Sequence, residues 1–290
     1  KVGDEINITV NFSESVTLSS GGSMTVTLET GSNDQTVSIT SISSATSASG
    51  TYTVAAGDES SDLTVKSIAV SGTISDATDQ AMVDFSIGSN LASSKAIVVD
   101  ALSPTVASVK STSNNTTYGT GGTINITVNF SENVTLSSGG SMTVTLETGS
   151  TNDDGTVSIT SISDTNSVSG TYTVRDGDVS SDLKIDTIAV SSGATLKDAA
   201  GNAMSSFSIP ADSNLSNFSD IVINTLKPSA PTGFVVNSNY GSVGLSWAAV
   251  ANAAKYKVYR GTSTSDISLL TDTVTINSYT DITISNVTRH

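Results

Sequence analysis

Along most of the chain, apolar and polar residues alternate one for one. "INITVNF" at positions 6–12 sets Ile, Ile, Val and Phe against Asn, Thr and Asn, and "SMTVTLET" at 23–30 sets Met, Val and Leu against Thr. "TVSITSI" (36–42), "TYTV" (51–54) and "LTVKSIAV" (63–70) continue the pattern. A period of two puts successive side chains on opposite faces of an extended backbone, so each segment predicts a strand with one face buried. Gly-, Asn- and Ser-rich turns separate the segments, as in antiparallel hairpins. No stretch shows a convincing amphipathic helical period. The prediction is an all-β chain of antiparallel sandwiches.

The pattern occurs twice. "TVNFSESVTLSSGGSMTVTLETGS" at 9–32 returns almost unchanged at 127–150, a displacement of 118 from Glu14 to Glu132. "SGTYTV" (49–54) returns at 169–174, "AGDESSDL" (56–63) as "DGDVSSDL" (176–183), and "SDATDQAM" (75–82) as "KDAAGNAM" (197–204). "KAIVVDALSP" (95–104) matches "DIVINTLKP" (220–228), with Asn224 in place of Asp100. The displacement grows to 124 through small insertions in turn-like places, where loops tolerate them. A unit of roughly 120 residues is a whole domain, not a solenoid repeat. The expected domains are 1–102, 103–226 and 227–290, strung as beads.

The string "GGTINITVNFSENVTL…VTLETG…SGTYTVRDGDVSSDL…LKDAAGN" resembles the SwmB-type bacterial immunoglobulin-like repeat, which also occurs in very long bacterial adhesins. The resemblance covers about residues 1–224. The remainder resembles a fibronectin type III domain. The matching features are Pro231 opening its first strand, "LSW" at 245–247, "YKVY" at 256–259 and "SYTD" at 278–281. Trp247, the one tryptophan, is expected in that domain's core, the alternative being a sugar-stacking surface. The first repeat shows no counterpart of "PTVASVKSTS" (104–113), and the fibronectin-like domain stops about two strands short. A window on a longer chain is the expectation, with strand donation from a neighbouring subunit as the alternative.

Composition narrows the function. The 290 residues carry 27 acidic and 12 basic side chains, a net charge of −15. That balance argues against nucleic acid and anionic lipid as partners. No cysteine is present, so disulfides and thiolate metal sites are excluded. No apolar run reaches membrane-spanning length, so direct membrane insertion is not expected. Ser and Thr supply about a third of the residues, and sequons such as those at Asn7, Asn125, Asn133 and Asn217 leave glycosylation open. The single histidine is His290, so a Ser–His–Asp triad would have to use the last residue. Carboxylates that recur in both repeats fit a structural ion site better than a single glycosidase pair. The chain is expected not to be an enzyme. Buried Lys–Asn cross-links are not expected either, because Lys66 and Lys184 align with Asp186 and Thr64.

The candidate chemistry is acidic. Counting strands in an immunoglobulin-like sandwich puts the loop with Asp58 and Asp62 at the bottom of the first repeat. Glu132, read as part of a loop after the second strand, then lies at the top of the second repeat, with Asp198 and Asn202. Asp100 is in the linker. Asp58, Asp62, Asp100, Glu132 and Asp198 therefore converge on one joint, where hard oxygen ligands from several segments suit Ca²⁺. The next joint has Asn224 and Lys227 and lacks "FSE", so it suits Ca²⁺ less well than the first. The expected role is a structural or adhesive segment, such as a stalk or spacer, of a long extracellular prokaryotic surface protein. Its partners would be neighbouring domains or subunits, with glycans as a further class. The alternatives are a subunit of a self-assembling filament or surface layer, and an accessory module of a secreted carbohydrate-active enzyme.

Overall fold

The alternating segments become strands wherever the period-two pattern meets a facing sheet. The computed structural model describes residues 1–149 and 154–284. Among them, strand pairings are antiparallel with one exception, Thr117–Tyr118 beside Val222–Asn224. Helical structure there amounts to two single-turn 3₁₀ segments, Leu91–Ser93 and Leu215–Asn217. Among the described residues no helix is long and apolar enough to cross a membrane. The chain is thus all-β, built of tandem antiparallel sandwiches.

In the first repeat, the Glu5–Leu18 strand pairs with Ala45–Thr53 along its first part and with Ile74–Ser75 at its end. The second sheet sets Ser23–Glu29 between Gln35–Ile39 and Thr64–Ser71. Met24, Val26 and Leu28, the alternate residues of Ser23–Glu29, are fully buried. Gly50 allows the two sheets to approach: a Cβ there would collide with the Val37 side chain, and Gly170 stands in the same relation to Val157.

The second repeat has the same plan: Thr123–Leu136 with Thr165–Thr173 and Leu196–Lys197, facing Gly155–Ile159, Met142–Leu146 and Ile185–Val190. It also has Val106–Lys110, a strand on the other edge of Thr123–Leu136. The third unit pairs Val235–Asn239, Ser242–Ser246 and Ser278–Asp281 in one sheet and Tyr256–Gly261 with Ile267–Val274 in another. Its core is small: Trp247, Val258 and Val274, with Tyr256 edge-on to the indole at 5.1 Å. Trp247 is 6% exposed, so the ring is a core element and offers no sugar-stacking face.

One expectation is corrected. "FSE" does not leave a strand for a loop. Glu14 and Glu132 lie inside single strands of 14 residues, Glu5–Leu18 and Thr123–Leu136. The pairing register shifts between Asn129 and Val134, and between Asn11 and Val16, so each Glu sits at an irregularity where the strand changes partners. Such bulges bend a strand and re-aim a side chain. That is how a residue within a strand reaches the end of the sandwich.

Candidate metal centre

Three of the five acidic residues meet. Asp100 ends the Val99–Asp100 strand of the first repeat, with Glu59 as its cross-strand partner. Glu132 comes from the bulge just described, and Asp198 from the turn after Leu196–Lys197. Each offers a carboxylate oxygen, and these oxygens lie within 4.8 Å of one another. Oxygens on opposite sides of a Ca²⁺ ion are about 5 Å apart, twice its usual bond length. The donor set is hard oxygen throughout and comes from both repeats, which fits such an ion. It is the one group of three or more metal-capable side chains among the described residues.

Asp198 is buried and held in place. Its Oδ1 accepts the main-chain amides of Gly201 (2.6 Å) and Asn202 (2.8 Å), and its Oδ2 accepts the Asn202 side-chain amide (2.8 Å). That side-chain amide also donates to the Asp100 carbonyl at 3.0 Å. Gly201 has φ +93°, a left-handed conformation that few other residues adopt at low cost. "DAAGN" therefore folds as a tight turn around the Asp198 carboxylate. The first repeat has Asp79 and Gln80 there; Asp76 caps its own turn on Thr78 and Gln80, and Gln80 is exposed.

The electrostatics are repulsive. Burial pushes the Glu132 carboxyl above its usual range, and the nearby Asp198, Asp100 and Glu59 carboxylates push it the same way. Among the described residues, no ion pair reaches Asp100, Glu132 or Asp198. Glu59 is the contributor that reading the sequence missed. Its pairing with Asp100 could be known only once the Glu59–Ser60 strand was seen beside Val99–Asp100.

Asp58 and Asp62 are not part of this group. The Asp58 carboxylate points into the first sandwich: Oδ2 accepts the Tyr52 hydroxyl (2.5 Å) and the Ala55 amide (2.7 Å), and Oδ1 accepts the Gln35 side-chain amide (3.0 Å). All three of its partners belong to the first repeat, and it forms no group with the other carboxylates. Asp62 is exposed and accepts the Ile97 amide at 3.3 Å. The second repeat repeats the Asp58 arrangement: Tyr172 donates to Asp178, which also accepts the Arg175 amide (2.7 Å) and guanidinium (3.2 Å). Both tyrosines are pushed to higher pKa, first by burial and then by donating to the aspartate. The signal was in the sequence: Tyr and Asp stand six apart in both repeats, a constant spacing across a turn. The next joint is neutral where this one is acidic, with Asn224 donating to Asn252 (3.2 Å) and Lys227 paired with Asp176 (3.0 Å). His290 lies outside the described residues.

No family model matches the chain, and no curated protein matches it. Two solved chains described as "Marsupial T cell receptor" are similar to it. One is 13% identical, covers 92% of this chain and 87% of its own length, and has a TM-score of 0.26. The other is 11% identical, covers 97% and 92%, and has the same TM-score. At that score the likeness carries no argument; the fold stands on the strand pairing above. Fold and site define a chain of tandem antiparallel β-sandwiches with a group of three carboxylates at the joint between the first two.

Proposed function

We propose that this chain is a structural segment of a long extracellular prokaryotic surface protein, a stalk or spacer of an adhesin, and that Ca²⁺ stiffens the joint between its first two repeats. The observation that carries this reading is the meeting of Asp100 from one repeat with Glu132 and Asp198 from the next. Neighbouring carboxylates that no cation pairs are costly, and a divalent cation converts their repulsion into a cross-link. Ca²⁺ supplies that neutralising charge, and Asp198, oriented by its turn, supplies a fixed ligand on the second repeat. The partly exposed Asp100 and Glu132 complete the set. The Asn202 bond to the Asp100 carbonyl holds the two surfaces in register. A mechanical role suits domains that fold separately, and the hydrophobic clusters here do not cross from one unit to the next.

The test combines scattering and labelling. Small-angle scattering in Ca²⁺ should give a narrower range of chain dimensions than in EGTA, with no change in the fold of either repeat. Antibody against the chain should label intact source cells. Identical scattering in the two buffers overturns the joint, and label confined to lysed cells overturns the surface role.

A further inference from the structure

"INITVNF" is identical at 6–12 and 124–130, yet the two copies are buried to different depths. Ile124, Ile126 and Val128 are fully buried and Phe130 is 4% exposed. In the first repeat only Ile8 is buried, while Ile6, Val10 and Phe12 are half-buried. The difference extends beyond this strand. Ile185, Ile188, Leu215 and Ile221 are buried, whereas their counterparts Val65, Ile68, Leu91 and Ile97 are only half-buried. Met204 is 7% exposed and its counterpart Met82 is 37% exposed.

Two segments without counterparts in the first repeat account for this, Val106–Lys110 and Thr117–Tyr118, the latter lying beside Val222–Asn224. In the second repeat, Val106–Lys110 lies antiparallel to Thr127, Val128, Asn129 and Phe130. On its other side, the Val109 amide donates to the Ser213 carbonyl at 2.9 Å. Val106 and Val109 are 1% and 0% exposed. The equivalent place in the first repeat is a groove of about 650 Å³, lined by Thr9, Val10 and Phe12 on one side, Ser89 and Leu91 on the other, and Met24 beneath. Ser89 and Leu91 are the counterparts of Ser213 and Leu215. The second repeat has a single apolar cluster that includes Val106 and Val109, whereas that of the first is divided in two.

We propose that this groove is the seat of an antiparallel strand with the chemistry of "PTVASVK": two valines three apart, with Ala and Ser between them. The strand is supplied by polypeptide joined to Lys1, through a connection like that between Lys110 and Thr123. The two repeats are entered in the same way, since Gly3 donates to the Val54 carbonyl (2.9 Å) as Gly121 does to that of Val174 (2.8 Å). A chain following the second repeat's path into Gly3 would have come from the groove. In a second copy of this chain Val106–Lys110 is already held in its own repeat, with Val106 and Val109 buried, so that strand is not free to be given. The strand would restore both ladders of hydrogen bonds and cover the half-buried face, as β-augmentation does elsewhere.

The test compares the chain as it is with a version carrying a copy of residues 104–118 fused ahead of Lys1. That length reproduces the second repeat's connection. The fused chain should stay monomeric in sedimentation. Its amides at Thr9, Val10, Asn11 and Phe12 should exchange about tenfold or more slowly, and its first melting transition should rise. Placing Asp at both valines of the fused copy should abolish these gains. A peptide of residues 104–113, titrated into the unfused chain, should perturb the same amides, which keeps the test valid if the fusion folds poorly. Unchanged exchange with both fusion and peptide overturns the proposal. Protection that appears only when chains associate overturns the assignment of the strand to the chain's own polypeptide.

Discussion

Asn202 donates its side-chain amide to the main-chain carbonyl of Asp100, 102 positions earlier, at 3.0 Å, and to the Asp198 carboxylate at 2.8 Å. One buried amide thus ties the end of the first repeat to the turn that presents the acidic group. Asn202→Ala removes both bonds and leaves the Asp198 carboxylate short of a donor. Lost bonds to buried or charged groups cost about 1–3 kcal/mol. Denaturant unfolding of the second repeat should show a loss of that size. Residual dipolar couplings should show a wider spread of inter-repeat orientations. A variant with unchanged stability and couplings would remove Asn202 from the joint.

The raised Glu132 carboxyl sets a pH dependence with a definite sign. Because burial and neighbouring carboxylates favour its protonated form, the folded chain binds this proton at higher pH than the unfolded chain does. In EGTA, stability should therefore rise as pH falls from neutral through the raised Glu132 pKa toward the ordinary value of 4.5. Asp281 acts in the opposite sense at lower pH. The Thr283 amide, helped by Arg260, holds it below 3.8, so its contribution is present above that value and lost as pH falls further. Melting curves of the parent and Glu132→Gln between neutral pH and the ordinary glutamate range check this. The variant should lack the rise, and a parent that lacks it too would mean Glu132 is not strained.

Asp58 belongs to the core and not to the joint. Tyr52→Phe removes its shortest bond and should cost about 1–3 kcal/mol, with a similar loss for Tyr172→Phe in the second repeat. Asp58→Asn should lower stability but leave the dependence of melting on Ca²⁺ unchanged. A Ca²⁺ response that disappears with Asp58→Asn would return this residue to the ligand set.

Much of this was legible in the sequence because period-two alternation and repetition are local signals. "SMTVTL" names its own buried face, and Met24, Val26 and Leu28 are on it. Counting strands brought Asp100, Glu132 and Asp198 to one joint, but it brought Asp58 and Asp62 there too and put Glu132 in a loop. The error lay in what alternation cannot report. "FSE" looked like an exit from a strand, whereas the strand runs on through a bulge to a new partner. Asp58 was placed in a loop facing the joint by counting strands, and its inward direction depends on Tyr52 from a neighbouring strand. The half-buried face of the first repeat was legible only as the missing counterpart of "PTVASVKSTS"; which side chains it leaves half-buried was not, since the same seven letters have their apolar side buried in the second.

The central claim is that one divalent cation joins the first two repeats through Asp100, Glu132 and Asp198. Calcium binding to the intact chain by equilibrium dialysis, beside Glu132→Gln, tests it most directly. The account predicts one tightly held ion per parent chain, a matching rise in melting temperature over EGTA, and loss of both in the variant. It also predicts that the variant melts above the parent in EGTA, because the repulsion has been removed. No bound calcium at millimolar concentration, or binding that survives Glu132→Gln undiminished, would contradict it.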